Sequence, residues 1–332
     1  MIDYPTKRPA WKRRQIEKKW QNIFGIFLTL FLLVVIVNGL FKSFSFSNKF
    51  NKATWDGKSP LIATVNTIPA SLLIYQPEIR KFVLVVINND ISFATGDTDK
   101  PVEKLSTIFE SQDGVEISSI VSTIVRIPVS YYLIFKDSPS ADLSTFENYF
   151  KNFVSIDTPF EIFASKNSDA IIDTNLAQRD LFSLWWQTKF TRINDLELVD
   201  LSRFAETIIV SSDQKILGID NTSLSAVLKK YLENKRLVEA SELITVENGA
   251  KAHGAGKLAA DFVTAMGGQV SKIEASETVS DKTQIITSEN GYVASYLAKI
   301  FDCGINVVPD LANGEIIIKI GRDFVNKFLE IN

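Results

Sequence analysis

The chain has 332 residues, 45% of them hydrophobic and 23% charged, which suits about two domains and argues against a disordered chain or a multi-span channel. Its net charge of −3 is unevenly spread: seven cations and two acids fall in the first nineteen residues, leaving 29 basic and 37 acidic residues, a net of −8, in the rest. That mildly acidic bulk argues against a nucleic-acid partner.

Residues 1–21 form a basic tail carrying Lys7, Arg8, Lys12, Arg13, Arg14, Lys18 and Lys19. Residues 22–41 follow with no charge; Ile23 to Val37 reads IFGIFLTLFLLVVIV, with Thr29 its one polar side chain. This matches the about twenty residues that cross a hydrocarbon layer. The cations precede the run, so the tail is expected in the cytoplasm, with Trp20 at the inner interface and everything after the run outside. The basic tail then suits anionic lipid headgroups. A cleaved signal peptide fits less well, because the following NGLFKSFSFS is too bulky for a small-x-small cleavage site. A buried core helix would not be apolar on every face beside a basic flank. A retained single-pass transmembrane helix is expected.

Residues 42–58 are polar with scattered aromatics and read as a stalk. Residues 59–212 are expected to form a mixed α/β domain. Strands are read at Ser71 to Gln76, Lys81 to Ile87 and Val129 to Phe135, from β-branched and aromatic runs between turn residues. Helices are read at Val102 to Phe109 and Ile117 to Val125. Residues 213–240 are expected as a charged connector with one helix, SLSAVLKKYLENK.

Residues 241–332 are expected as a small βαβ-βαβ domain able to fold alone. LITVEN is a strand, His253 to Met266 a helix ended by Gly267-Gly268, and QVSKIEAS and TQIITS are strands. Asn290 to Phe301 is a helix with Val293, Tyr296, Leu297 and Ile300 on one stripe, and NVVPD and EIIIKIG are further strands. The whole is thus an α/β (α+β) protein behind an N-terminal transmembrane helix.

Few residues advertise chemistry. The single cysteine, Cys303, excludes an internal disulfide and reads as a small buried apolar residue. The single histidine, His253, argues against a His-rich metal site or a Ser-His-Asp triad and reads as a surface residue at a helix start. Gly249, Gly254, Gly256 and Lys257 miss phosphate-loop spacing, since Lys251 and Leu258 stand where Gly and Ser or Thr are needed. Trp185 and Trp186 read either as a stacking face for sugar or lipid or as core; about 100° separates them on a helix, so one can be buried and the other exposed. Arg179 and Asp180 read as a surface ion pair or a site pair.

In ITVENGAKAHGAGKLAADFVTAMGGQV, TQIITSENGYVASYLAKIF and EIIIKIGRDF, the C-terminal region resembles the LytR C-terminal domain of bacterial envelope proteins. In SLLIYQPEIRKFVLVVINNDISFA, VRIPVSYYLIFKD and NLAQRDLFSLWWQTKF, the middle region resembles the LytR-CpsA-Psr domain. That resemblance implies transfer of lipid-pyrophosphate-linked glycopolymers to the cell wall with a divalent cation, magnesium or manganese. The departures are specific. Where the family pattern has Ile-Pro-Arg-Asp, this chain has Ile87-Asn88-Asn89-Asp90, and asparagine lacks the charged donor fork that grips phosphate. The acid expected before the first matched strand is missing from Thr67-Ile68-Pro69-Ala70, and KPVEKLSTIFESQDG replaces a Gly-rich loop. Asp90, Arg126 and Arg179 remain as relic candidates. The expectation is a non-catalytic envelope module without cofactor or metal, whose partners are the bilayer and wall glycan or envelope proteins. The alternatives are a divergent phosphotransferase and a structural subunit of an envelope complex.

Overall fold

The computed structural model describes residues 55–88, 90–94, 102–104, 106, 113–155, 157–159, 171–209, 215–312 and 314–329. The basic tail, the apolar run 22–41 and Asn89 lie outside the described residues, and among those described no helix is long and apolar enough to cross a membrane.

The first layer is built on β1 (Leu61–Val65), β2 (Ser71–Gln76) and β3 (Lys81–Val86), an antiparallel meander at the centre of a six-stranded sheet. β6 (Tyr131–Phe135) lies parallel to β1 and β7 (Ile171–Thr174) antiparallel to β6, while β8 (Leu196–Asp200) lies parallel to β3, giving the order β7-β6-β1-β2-β3-β8. The central strands β1, β2 and β3 read as near-continuous apolar runs because both faces of the sheet are covered there. Successive side chains point to opposite faces. Ile62, Leu72, Ile74, Val83 and Val85 therefore share one core with Ile117, Ile120 and Val121 of α1 (Gly114–Val125). Leu61, Ala63, Tyr75 and Phe82 share another with Phe150 of α2 (Leu143–Phe153) and Leu184 of α3 (Gln178–Thr188).

Local chemistry sets the helix ends. Asp113 caps α1 by accepting the Val115 and Glu116 N–H groups, and Arg126 closes it in a left-handed conformation. A Cβ on Gly114 would lie 2.2 Å from the Tyr132 ring, so α1 starts in direct contact with β6. The expected helix from Val102 is corrected at its start. Val102–Lys104 is a strand, β5, paired antiparallel with β4 (Ser92–Ala94), so pairing across a local hairpin overrides helical propensity there.

The second sheet has β11 (Leu243–Asn248) parallel to β12 (Gln269–Ala275) and β15 (Glu315–Ile320), with β13 (Gln284–Thr287) antiparallel to β15 and parallel to β14 (Gly304–Val307). Two βαβ units are thus joined through β15. Their helices are α6 (Ala255–Ala265) and α7 (Tyr292–Ile300), and α8 (Arg322–Phe328) follows β15. Val293, Tyr296 and Leu297 of α7 are buried, as its apolar stripe requires, and the Gly267-Gly268 pair follows α6.

Residues 215–240 are more than a charged connector. After a small hairpin of β9 (Ala205–Ile209) and β10 (Lys215–Ile219) come α4 (Asn221–Leu232) and α5 (Lys235–Ala240). Leu224, Leu228, Tyr231, Leu232 and Leu237 are buried in a core that runs without a break from Ile74 and Ile120 to Phe262 and Ile318. The charges that suggested a connector sit on the opposite faces: Lys229 pairs with Glu233 and Lys235 with Glu239. Residues 53–332 accordingly form one compact unit.

Candidate functional site

At one end of the six-stranded sheet, the segment entering β1, the β2–β3 turn, the C-terminal turn of α3 and the start of α5 come together around an open groove. It has a volume of about 430 Å³ and is walled by Lys58, Tyr75, Glu78, Arg80, Trp186, Phe190 and Arg236. Arg80 holds a left-handed backbone, φ 53°, at the end of the tight turn, and its guanidinium lies 5.5 Å from the Phe190 ring centroid. Phe190 meets Trp186 edge to face at 6.4 Å. On the opposite wall the Arg236 guanidinium lies 5.1 Å from the Tyr292 ring. Burial pushes the Tyr75 phenol up to about 12, so it stays protonated and acts only as a neutral hydrogen-bonding group.

The helical offset of the two tryptophans separates their roles. Trp185 is buried and donates its indole N–H to the Ser155 carbonyl at 2.9 Å, so it belongs to the core. Trp186 is 55% exposed and faces the groove. Arg179 and Asp180 are not a surface ion pair. Arg179 is exposed, whereas Asp180 is 1% exposed and accepts the Trp55 and Ala177 N–H groups, each at 3.1 Å. Asp180 thereby fastens the segment entering β1 to the start of α3.

The remaining charged candidates are dispersed. Arg126, at the end of α1, is paired at 2.8 Å with Asp261 of α6 and so bridges the two layers. Asp90 follows β3 and is paired at 3.2 Å with Lys104 of the β4–β5 hairpin, both well exposed. α1 and α3 cover opposite faces of the sheet, so Arg126 and Arg179 do not converge on one cleft. Oxygen donors for magnesium or manganese do not gather either: among the described residues no group of three or more His, Cys, Asp or Glu is placed to hold a metal. The described residues do not supply a ligand set for that ion.

A larger cavity, about 700 Å³, lies in the second layer beside Lys299, Cys303 and Asp323. Burial, followed by Asp323 and Asp302, pushes the Cys303 thiol up to about 12, which removes thiolate reactivity near neutral pH. Asp323 is committed to Thr283, accepting its N–H at 2.9 Å and its hydroxyl at 2.8 Å. His253 is exposed in the turn before α6. A Cβ on Gly249 would lie 2.8 Å from the Ile320 carbonyl oxygen, so that glycine serves close packing of the turn.

Sequence reasoning missed Arg80, Phe190 and Arg236. Phe190 lies four residues after Trp186, just past the end of α3, a spacing legible in the sequence, but Arg80 and Arg236 enter through the β2–β3 turn and the start of α5.

Fold and site together define an α/β protein built on two large sheets, with an aromatic and cationic groove at one sheet end. No protein-family model matches the chain, and no curated protein matches it. Among solved structures it is similar to a transcriptional regulator from Enterococcus faecalis, at 11% identity and a TM-score of 0.38, over 52% of this chain and 85% of that one. It is similar to TagV of B. subtilis at 12% identity and a TM-score of 0.36, over 52% and 96% of the two chains. It is also similar to the LytR-CPS2A-psr family protein YwtF (TagT) with bound octaprenyl pyrophosphate lipid, at 12% identity and a TM-score of 0.32, over 53% and 90%.

Proposed function

We propose that the chain is a membrane-anchored envelope protein, held by residues 22–41 with its N-terminus in the cytoplasm, whose outer unit binds or assembles and does not transfer. The observation that carries the second half is the placement of the charged candidates. Drawing a pyrophosphate out of water requires several cations and fixed donors aimed at one point. Here Arg126 is held by Asp261, Asp90 faces Lys104, and Arg179 stands across the sheet from Arg126. The first half is supported by the uncharged run and the basic block before it. The partners in this reading are the bilayer and either wall glycan or other envelope proteins.

The reading separates into two measurements. A phosphatase fused after Asn332 is expected to be active, and a reporter that works only in the cytoplasm is expected to be silent at the same position; the reverse pattern defeats the topology. Purified residues 53–332 are expected to co-sediment with cell wall or to retain envelope proteins on a column. Failure of both, with the fragment folded, defeats the binding role.

A further inference from the structure

We propose that the end of the six-stranded sheet at which β1, β3 and β8 begin is a membrane-facing surface that docks on anionic phospholipid headgroups. It rests on the anchored reading above and adds a second, reversible contact made by the folded unit itself.

Four large apolar side chains are exposed at this end: Ile79 at 46%, Trp186 at 55%, Phe190 at 58% and Ile193 at 40%. The register places them together. β3 and β8 are parallel with Phe82 opposite Leu196, so Ile79 and Ile193, each three residues earlier, leave the sheet at the same end. Phe190 joins them through Arg80, and Trp186 through Phe190. Scattered exposed apolar residues are ordinary on a protein surface, but four large ones gathered at one sheet end, half of them aromatic and in contact, mark an interaction site.

The charge around the group selects the partner. Lys58, Arg80 and Arg236 line the groove against one acid, Glu78, while Lys189 and Arg192 are exposed next to Phe190 and Ile193. Residues 20–332 are acidic as a whole, so this local cationic excess runs against the background. Asp56 and Asp195 keep their charges at this end as well, so the balance is five cations (Lys58, Arg80, Lys189, Arg192 and Arg236) against three acids (Asp56, Glu78 and Asp195). Indole and phenyl rings with cations beside them suit a bilayer interface, where rings enter the headgroup region and cations meet lipid phosphates.

Chain geometry supplies an independent argument. β1 pairs with β2 so that Leu61 lies opposite Tyr75, which puts the entry to the folded unit at the β2–β3 turn end. That entry is fixed in place: Gln187 donates its side-chain N–H to the Gly57 carbonyl at 2.8 Å, and Asp180 accepts the Trp55 N–H. Only residues 42–54 separate it from the end of the apolar run, a span of roughly 45 Å at full extension. The bilayer is thus within reach of this end, and the entry point and the aromatic face share it.

The test uses residues 53–332, which carry both cores, with vesicles of phosphatidylglycerol mixed into phosphatidylcholine and vesicles of phosphatidylcholine alone. The fragment is expected to co-sediment with the anionic vesicles at least tenfold more strongly, with a blue shift of tryptophan emission that Trp186→Phe removes. Phe190→Ser and Arg80→Glu are each expected to weaken sedimentation at least tenfold. Arg80→Glu sits at an exposed turn and is expected to keep the wild-type unfolding midpoint, which separates loss of binding from loss of fold. Three results overturn the proposal: variants that sediment like wild type, no preference for the anionic vesicles, or displacement by millimolar glycerol phosphate, which indicates recognition of a free phosphoester. A concentration-dependent dimer abolished by Phe190→Ser, without vesicle binding, also overturns it in favour of a second copy. Carbonate extraction of the full chain reports the anchor separately: a chain that stays in the membrane while the fragment ignores vesicles defeats the surface and leaves the anchor standing.

Discussion

Phe262→Ala is expected to be among the most destabilising single changes in the folded unit, at about 3–5 kcal/mol. The side chain is 1% exposed and sits among three other rings, with centroids 5.2 Å from Phe328, 6.0 Å from Phe324 and 6.5 Å from Phe301. These are edge-to-face and tilted contacts, so truncation forfeits ring–ring attraction as well as apolar burial. The consequence reaches the other layer. α8 is only seven residues long, too short to persist without packing, and its Phe328 carbonyl accepts a hydrogen bond of 2.6 Å from Thr123 of α1. Loosening α8 therefore loosens the contact with the first sheet. Denaturant unfolding of residues 53–332 is expected to keep a single transition with a lowered midpoint. A loss under about 1 kcal/mol would show that the aromatic cluster is not tightly packed. Two resolved transitions would show that the layers do not share one cooperative core.

The second large effect is expected at Gly321. An added Cβ would lie 2.3 Å from the Lys282 carbonyl carbon, 2.6 Å from the Thr283 nitrogen and 2.7 Å from the Lys282 Cα. All three are backbone atoms, so no side chain can swing aside. The backbone there is held in turn: the Gly321 N–H donates to the Thr283 hydroxyl at 3.0 Å, and Thr283 donates twice to Asp323. Gly321→Ala is expected to cost about 1–3 kcal/mol, toward the upper end, through overpacking. Thermal melting checks this. An unchanged melting temperature would mean that the 282–283 strand entry yields freely, contrary to its hydrogen bonding.

Gly321 also shows how much was legible in the sequence. The terminal Gly-x-Asp-Phe carries a physical meaning: the glycine admits the neighbouring backbone, Asp323 holds Thr283, and Phe324 enters the ring cluster. The helix that follows was not expected, because seven residues with an open end carry little periodicity. Strands that are apolar, β-branched runs between polar or turn residues are legible to the residue; Ser71–Gln76 and Leu243–Asn248 are examples. The sequence does not announce β1, β4, β7, β8, β9 or β10. Leu196–Asp200 reads LELVD, an edge strand in which Leu198 is exposed while Glu197 is half-buried against Lys81 and Tyr231, so its identity comes from pairing with β3 and not from a burial pattern. The segment 213–240 misled because its charges lie on one face and its buried leucines on the other, and composition averages the two.

Half of the site was readable. That Trp185 and Trp186 part company follows from helical geometry alone. That Arg80 and Arg236 flank Trp186 does not, because 106 residues separate Arg80 from Trp186 and only the fold joins them. The dispersal of Asp90, Arg126 and Arg179 was likewise invisible, since it depends on which face of the sheet each helix covers.

The central claim, that the outer unit does not transfer, meets its most direct test in a single assay. Residues 53–332 are incubated with a polyprenyl-pyrophosphate analogue, a wall-glycan acceptor and magnesium or manganese, and phosphate release is followed. The account predicts release no faster than without protein, unchanged in Arg179→Ala and Asp90→Ala. Metal-dependent release that falls when Arg179 or Asp90 becomes Ala would contradict it, because it would make working groups of an exposed arginine on α3 and an aspartate paired with Lys104.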